Sequence, residues 1–208
     1  TDLMNPRTET TQVLIVGAGP AGSVAAALLR QQGRQVLMLE KQRFPRFSIG
    51  ESLLPQSMEY LEQAGMLRAV VEAGFQYKNG AAFAHDGRHT TFDFRQKSSL
   101  GWGTTYQVQR ADFDQVLARE AQGAGAELRF EHEVLAVDVS GEKPRVSVRA
   151  PDGEAYEVVA DFLLDASGFA RILPRLLDLE RPSRFPVRGA IFTHVRDGIT
   201  PGAEGFDR

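Results

Sequence analysis

The sequence predicts an α/β fold, a parallel nucleotide-binding scaffold with antiparallel β hairpins inserted into it. Three observations carry that prediction. A β-branched run at residues 12–16 enters a glycine-rich turn, and an Ala- and Leu-rich helix and a second short strand complete a βαβ unit within about thirty residues. Two turns, His85-Asp86-Gly87 and Pro151-Asp152-Gly153, each separate alternating apolar and polar runs, the signature of a hairpin. A further apolar run at 162–165 ends in Asp165-Ala166-Ser167-Gly168, a strand closing on a tight turn.

Taken in order, residues 1–11 are polar and aperiodic and read as a flexible tail. Residues 12–16 suit a strand buried on both faces. Residues 21–30 form a helix, with Gly33 placed as its C-terminal stop. A second strand at 35–39 ends at Glu40, and 41–51 is a loop. Pro55 opens a helix over 55–64 that Gly65 closes. Residues 78–84 and 88–94 form the first hairpin, and 105–109 a further strand. A helix at 111–122 stops at the Gly123/Gly125 pair. Strands follow at 127–130 and 134–139, then the second hairpin at 145–150 and 156–160. The strand at 162–165 leads to a helix around 171–177, and 188–195 reads as a last strand. The expected domain division is 12–77 with 105–180 as the nucleotide-binding domain. Residues 78–104 and 181–208 then belong to the start of a mixed-sheet substrate-binding domain that is incomplete at residue 208.

Composition narrows the chemistry. With 42% hydrophobic and 25% charged residues the chain is globular in type, neither disordered nor fibrous. The absence of cysteine excludes disulfides, zinc–thiolate sites, iron–sulfur clusters and cysteine nucleophiles. A net charge of −3 without any basic run argues against nucleic acid. Apolar runs fall far short of the ~20 residues that span a membrane, and no secretion signal opens the chain. A cytoplasmic protein is therefore expected. No metal site is legible: His85 and His89 flank a turn, and His132 and His194 stand alone in strand patterns. Trp102 sits in a glycine-flanked loop, and no Ser/His/Asp triad can be read.

Gly17-Ala18-Gly19-Pro20-Ala21-Gly22 is G-x-G-x-x-G in its required setting, a strand before it and a helix after it, with Glu40 following 18 residues beyond Gly22. Gly17 permits the tight turn, Gly19 lets backbone approach a pyrophosphate, and Gly22 allows close helix–strand packing. The helix N-terminus offers free N–H groups and the positive end of its dipole to the phosphates. Glu40 can accept both ribose hydroxyls, and its charge disfavours a 2′-phosphate. These features indicate a Rossmann-like dinucleotide site but leave FAD and NAD open.

Three further segments extend the pattern. Gly50-Glu51-Ser52-Leu53-Leu54-Pro55 follows the loop Glu40-Lys41-Gln42-Arg43-Phe44-Pro45-Arg46-Phe47. Arg110 opens the helix in Gln109-Arg110-Ala111-Asp112-Phe113-Asp114, and Asp165-Ala166-Ser167-Gly168 ends a strand. Together they resemble the FAD-dependent aromatic hydroxylase superfamily, and within it the flavin-dependent halogenases of phenols and pyrroles with their monooxygenase and reductase relatives. The resemblance runs from Gln12 through nearly the whole chain and implies FAD as cofactor. It places Gly17, Gly19, Pro20, Ala21, Gly22, Glu40 and Lys41 at the ADP moiety, and Arg46, Ile49 and Gly50 along the ribityl chain or isoalloxazine. Arg110 falls at the pyrophosphate or ribityl region, the backbone near Val134 at adenine, and Asp165 and Gly168 near the pyrophosphate. Arginine suits a diphosphate because its planar fork pairs with two oxygens at once, and small residues suit a place where planar flavin meets backbone. The competing readings are an ion pair of Arg110 with Asp112 or Asp114, a solvated Arg46, and Asp165 as cap of the helix that follows.

Lys78 in Lys78-Asn79-Gly80-Ala81-Ala82-Phe83 is similar to the lysine of such halogenases, followed there by a small-residue strand. The resemblance implies a reaction in which FAD, reduced by a separate reductase, meets oxygen to form a hydroperoxide that halide attacks. Lys78 would then pass the resulting hypohalous acid, or a haloamine made from it, to an electron-rich aromatic or pyrrole ring, free or carrier-bound. A compact amine whose pKa falls on burial suits that task. The competing reading is a strand-edge lysine in water. Two other functional readings stay open, an FAD-dependent monooxygenase or reductase, and a non-catalytic fragment that needs a partner chain. The family's W-x-W-x-I-P segment and second Gly-Asp-Ala motif do not occur in residues 1–208. The remainder of the site is expected from a longer chain or a second chain.

Overall fold

A computed structural model describes residues 7–193 together with 196 and 198. Strand β1 (Thr8–Val16) leads into helix α1 (Pro20–Gln31) and strand β2 (Val36–Glu40). After the loop come α2 (Pro55–Gln63), α3 (Leu67–Glu72), β3 (Gln76–Lys78), β4 (Gly80–His85), β5 (Arg88–Asp93) and β6 (Thr105–Gln107). The chain continues through α4 (Arg110–Gly123), β7 (Glu127–Phe130), β8 (Glu133–Asp138), β9 (Arg145–Arg149), β10 (Ala155–Asp165), a short 3₁₀ turn (Gly168–Ala170) and α5 (Ile172–Leu176).

The main sheet runs β7-β2-β1-β10-β9-β8. Strand β1 is parallel to β2 and β10, and β2 to β7, whereas β9 pairs antiparallel with β10 and β8. Alternate residues of β1 feed two cores. Val13 and Ile15 pack with α1, α2 and α4 through Ala26, Met58, Leu61, Phe113 and Leu117. Leu14 and Val16 pack on the other face with Val134, Val146, Val148 and Val158. Burial on both sides is why this strand is uniformly apolar rather than alternating.

Five sequence expectations change. Thr8–Thr11 are not tail: they extend β1, because β10 is long enough to pair with them from Thr8↔Glu157 onward, and threonine suits a strand. The runs at 156–160 and 162–165 are one strand. Asp161 between them points to solvent and pairs with Lys143, so its charge does not interrupt the ladder. The first hairpin is divided at Asn79: β4 pairs with β5, while Lys78 belongs to β3, which pairs with β6. Gly80 lies against the Phe92 carbonyl too closely for a side chain. The six-residue α3, with Val70 buried, is too short to show a helical period in sequence. Residues 188–193 form no strand, and Ile191 is fully exposed with nothing to pack on. His194 and Val195 lie outside the described residues. Among the described residues, no helix is long and apolar enough to cross a membrane and no cluster of metal-ligating side chains occurs.

Candidate functional site

The turn after β1 is fixed by its neighbours. Gly17 N–H donates to the Leu39 carbonyl (2.8 Å), which ties the turn to the end of β2. Gly17 has φ +99°, and a Cβ there would lie 2.6 Å from the Ala166 carbonyl oxygen. A Cβ on Gly22 would overlap the Gly17 carbonyl oxygen. These two glycines therefore serve the fold. Gly19 differs, since a Cβ would meet only the Arg46 guanidinium at 3.6 Å and the Asp114 carboxylate at 3.9 Å. Its bare backbone faces a cleft rather than a packed neighbour. Helix α1 begins at Pro20 with no side-chain cap and no acid in its first turn, so its positive end has no capping side chain of its own.

A cleft of about 750 Å³ opens at this point. It is lined by the glycine turn, the Glu40–Gln42 end of β2, Arg46, Arg110, the His132–Val134 stretch and residues 166–170. Glu40 is buried, and its two oxygens accept from Ala18 N–H (3.0 Å) and Gln42 N–H (2.9 Å). Each oxygen keeps a lone pair for a ribose hydroxyl. Asp114 is fully buried beside the turn. Arg110 Nε and Nη2 donate to its two oxygens (2.7 and 3.0 Å), and Arg46 approaches it at 3.2 Å. The arrangement offers uncapped amides, surplus positive charge and a carboxylate acceptor at separate points of one cleft. That set fits a dinucleotide with a diphosphate at its middle.

Of the sequence-derived site residues, Gly17, Gly19, Pro20, Ala21, Glu40, Lys41, Arg46, Arg110, Val134 and Gly168 line the cleft. Gly22 lies beneath it. Lys41 donates to Glu133 (2.7 Å), and this bond, with Arg149 beside it, holds the Glu133 carboxyl below the usual carboxylate range. Ile49 contributes its carbonyl, which accepts from Arg110 Nη1 (2.6 Å), and Gly50 abuts the same guanidinium with φ +90°. Arg46 is not a solvated loop charge, because it is largely buried and stands over Gly19 with Asp114. Asp165 does not line the cleft. Its oxygens accept from Ser167 N–H (2.8 Å) and Leu173 N–H (3.0 Å), fixing the turn into α5.

Lys78 lies away from the glycine turn, against the Gly50–Pro55 segment. Its ammonium donates to Ser52 Oγ and to the Leu53 carbonyl (3.3 Å), and lies 5.3 Å from the centre of the Phe94 ring. The segment is held in place by β6: Val108 N–H donates to the Glu51 carbonyl (2.8 Å) and Leu53 N–H to the Tyr106 carbonyl (3.2 Å). Asp114 partners two arginines, and its i,i+4 spacing from Arg110 is the signal for it in the sequence. His132, isolated in a strand pattern, also lines the cleft, with Nδ1 2.8 Å from the Phe130 carbonyl.

The profile of the FAD binding domain family matches residues 10–195. A tryptophan 2-halogenase of Chondromyces crocatus is 37% identical over 166 residues, covering 79% of this chain and 31% of the relative. A 1H-pyrrole-2-carbonyl-[peptidyl-carrier protein] brominase of Pseudoalteromonas luteoviolacea is 33% identical, over 78% of this chain and 39% of the relative. The chain thus spans about a third of the length of these curated relatives. Among solved structures, a flavoprotein/dehydrogenase from Cytophaga hutchinsonii superimposes with TM-score 0.83 at 44% identity, over 86% of this chain and 44% of that one. A myxobacterial chondrochloren halogenase gives TM-score 0.71 at 35% identity, over 77% and 38%.

Proposed function

Because this chain belongs to the FAD binding domain family, its cofactor is FAD, and we propose that it serves an FAD-dependent oxidoreductase that halogenates an electron-rich aromatic or pyrrole ring, free or carrier-bound. The observation that carries this reading is the path of the Gly50–Pro55 segment. At Gly50 it abuts Arg110, which lines the cleft, and at Ser52 and Leu53 it accepts hydrogen bonds from Lys78. One short segment therefore joins the nucleotide cleft to Lys78, the lysine that the resemblance assigns to halogen delivery. Relatives named as halogenases of tryptophan and of a carrier-bound pyrrole support the substrate class.

When bound and reduced by a separate reductase, FAD supplies with oxygen the oxidising power that turns halide into hypohalous acid. The uncapped end of α1 and Arg46 neutralise the diphosphate. Glu40 orients the adenosine ribose and repels a 2′-phosphate. Val134 and the neighbouring backbone receive adenine, and Gly168 closes the cleft from the β10 side. Lys78 uses two of its three donors on Ser52 and Leu53, which leaves the third for a halogen species. Residues beyond this chain, in a longer polypeptide or a second one, complete the substrate side, and the whole acts in the cytoplasm.

The test is halide incorporation into an aromatic acceptor by the holoenzyme with a flavin reductase, followed by product mass. Wild type is expected to incorporate chloride or bromide, and Lys78→Ala to incorporate none while retaining flavin. Halogenation by the variant overturns the role given to Lys78. Oxygenated or reduced product without halide dependence favours the second reading, an FAD-dependent monooxygenase or reductase, for which the 44%-identical flavoprotein/dehydrogenase speaks.

A further inference from the structure

We infer that Asp114 is the positioning residue of the diphosphate subsite: its buried carboxylate locks Arg110 in place and turns Arg46 over Gly19, where the glycine turn meets the anion. The inference rests on reading the cleft as the FAD site and assigns the residue that organises its charge.

The argument is one of geometry and charge balance. Asp114 is fully buried on α4, a position that an ionised carboxylate holds only with strong partners. Arg110, one helical turn before it, spends Nε and Nη2 on its two oxygens and Nη1 on the Ile49 carbonyl. Arg110 is therefore committed on three sides and acts as a strut between α4 and the Gly50 loop. Arg46 is different. It comes from the loop after β2, lies 4.7 Å from the centre of the Phe44 ring and contacts Asp114 at a single nitrogen, 3.2 Å away. The rest of its guanidinium is uncommitted and stands over Gly19. Two guanidiniums, 17% and 14% exposed, thus share one carboxylate. These three groups together carry one unit of positive charge, at the cleft and beside the one glycine of the motif whose Cβ the fold would tolerate. A diphosphate supplies the missing anion. Without the Asp114 charge the two guanidiniums repel each other, and Arg46 loses the contact that aims it.

The cofactor-free full chain is titrated with FAD and with riboflavin, which has the same ring and ribityl chain but no phosphate, reading the quenching of flavin fluorescence. The quantity of interest is the preference for FAD over riboflavin. Asp114→Asn is expected to lower that preference by about tenfold or more. Arg46→Gln is expected to do the same, and the double variant to add little, because both act on one subsite. Unchanged preference in Arg46→Gln, or equal weakening of both flavins in Asp114→Asn, overturns the inference. If Asp114→Asn does not fold, Arg46→Gln decides alone. Wild type that binds neither flavin overturns the reading of the cleft and this inference with it, whereas wild type that prefers FAD while the variants match it overturns only the inference.

Discussion

The glycine turn at Gly17–Gly22 and the lysine strand β3 lie at the two ends of the path proposed above, and they are held in place by opposite means. The turn is locked by backbone: Gly17 against Ala166, Gly22 against Gly17, and Ala18 bonded to the buried Glu40. Two hydrophobic clusters close on β1 from either side. Strand β3 has three residues, belongs to a two-stranded sheet, and leaves Tyr77 about half exposed. The neighbouring β4–β5 ribbon stacks Phe83 on Phe92, both still largely in solvent. The cleft proposed for the nucleotide is thus built into the packed part of the fold. The chemistry assigned to Lys78 sits on a lightly supported edge, where side chains can change without loss of the scaffold.

That contrast can be broken by substitution. The largest effect is expected from Gly22→Ala, because the added methyl overlaps the Gly17 carbonyl within the packed βα junction. The expected outcome is loss of the cooperative thermal transition, well beyond the ~1–3 kcal/mol typical of overpacking. A variant that melts like wild type would show that the junction can relax. At the other end, Lys78→Ala should remove halide incorporation while changing stability by no more than ~0.5 kcal/mol, measured by urea denaturation. A large loss of stability there would make Lys78 a structural residue and erase the contrast. Glu40→Gln keeps the shape, removes the charge and turns one of the two acceptors into a donor. It should weaken FAD by roughly fivefold, the difference between charged and neutral hydrogen bonds, and a titration with no change would remove Glu40 from the ribose.

The smallest effect concerns pH. The Asp93 carboxyl at the end of β5 is held down to about 2 by hydrogen bonds from the Arg95 side chain and then its backbone N–H. A lowered value means that its contribution is complete above the ordinary 3.8 and fades as pH falls through about 2. Hydrogen exchange in Gly80–Asp93 should therefore show the same protection at pH 7 and pH 5, after correction for the intrinsic rate. Loss of protection between those values would place another titrating group in the hairpin.

How much of this was legible in sequence follows from how local each feature is. The glycine motif, α1, β2 and α4 could be read because each is encoded by a contiguous pattern. The division at Asn79 could not, since the partner of Lys78 is Thr105 on β6, far along the chain. The continuity of β10 was hidden by Asp161, whose side chain leaves the sheet while its backbone stays in the strand. Asp114 looked like one of two surface acids near Arg110, and only the packing of α4 against the glycine turn makes it a buried anchor. The resemblance puts Asp165 near the pyrophosphate, and the sequence also allows it as a helix cap; its oxygens bond the turn into α5, as a cap does. Residue types therefore mark the candidates, and long-range pairing decides which side chains face the cleft.

The central claim is that the cleft at Gly19 holds FAD through bare backbone. Native mass spectrometry of wild type and Gly19→Val, paired with their melting curves, tests it most directly, because valine fills the approach without the clashes that Gly17 or Gly22 would suffer. The expected result is an FAD mass on wild type, none on the variant, and near-identical cooperative melting of the two cofactor-free proteins. Full FAD occupancy on a folded Gly19→Val variant would contradict it.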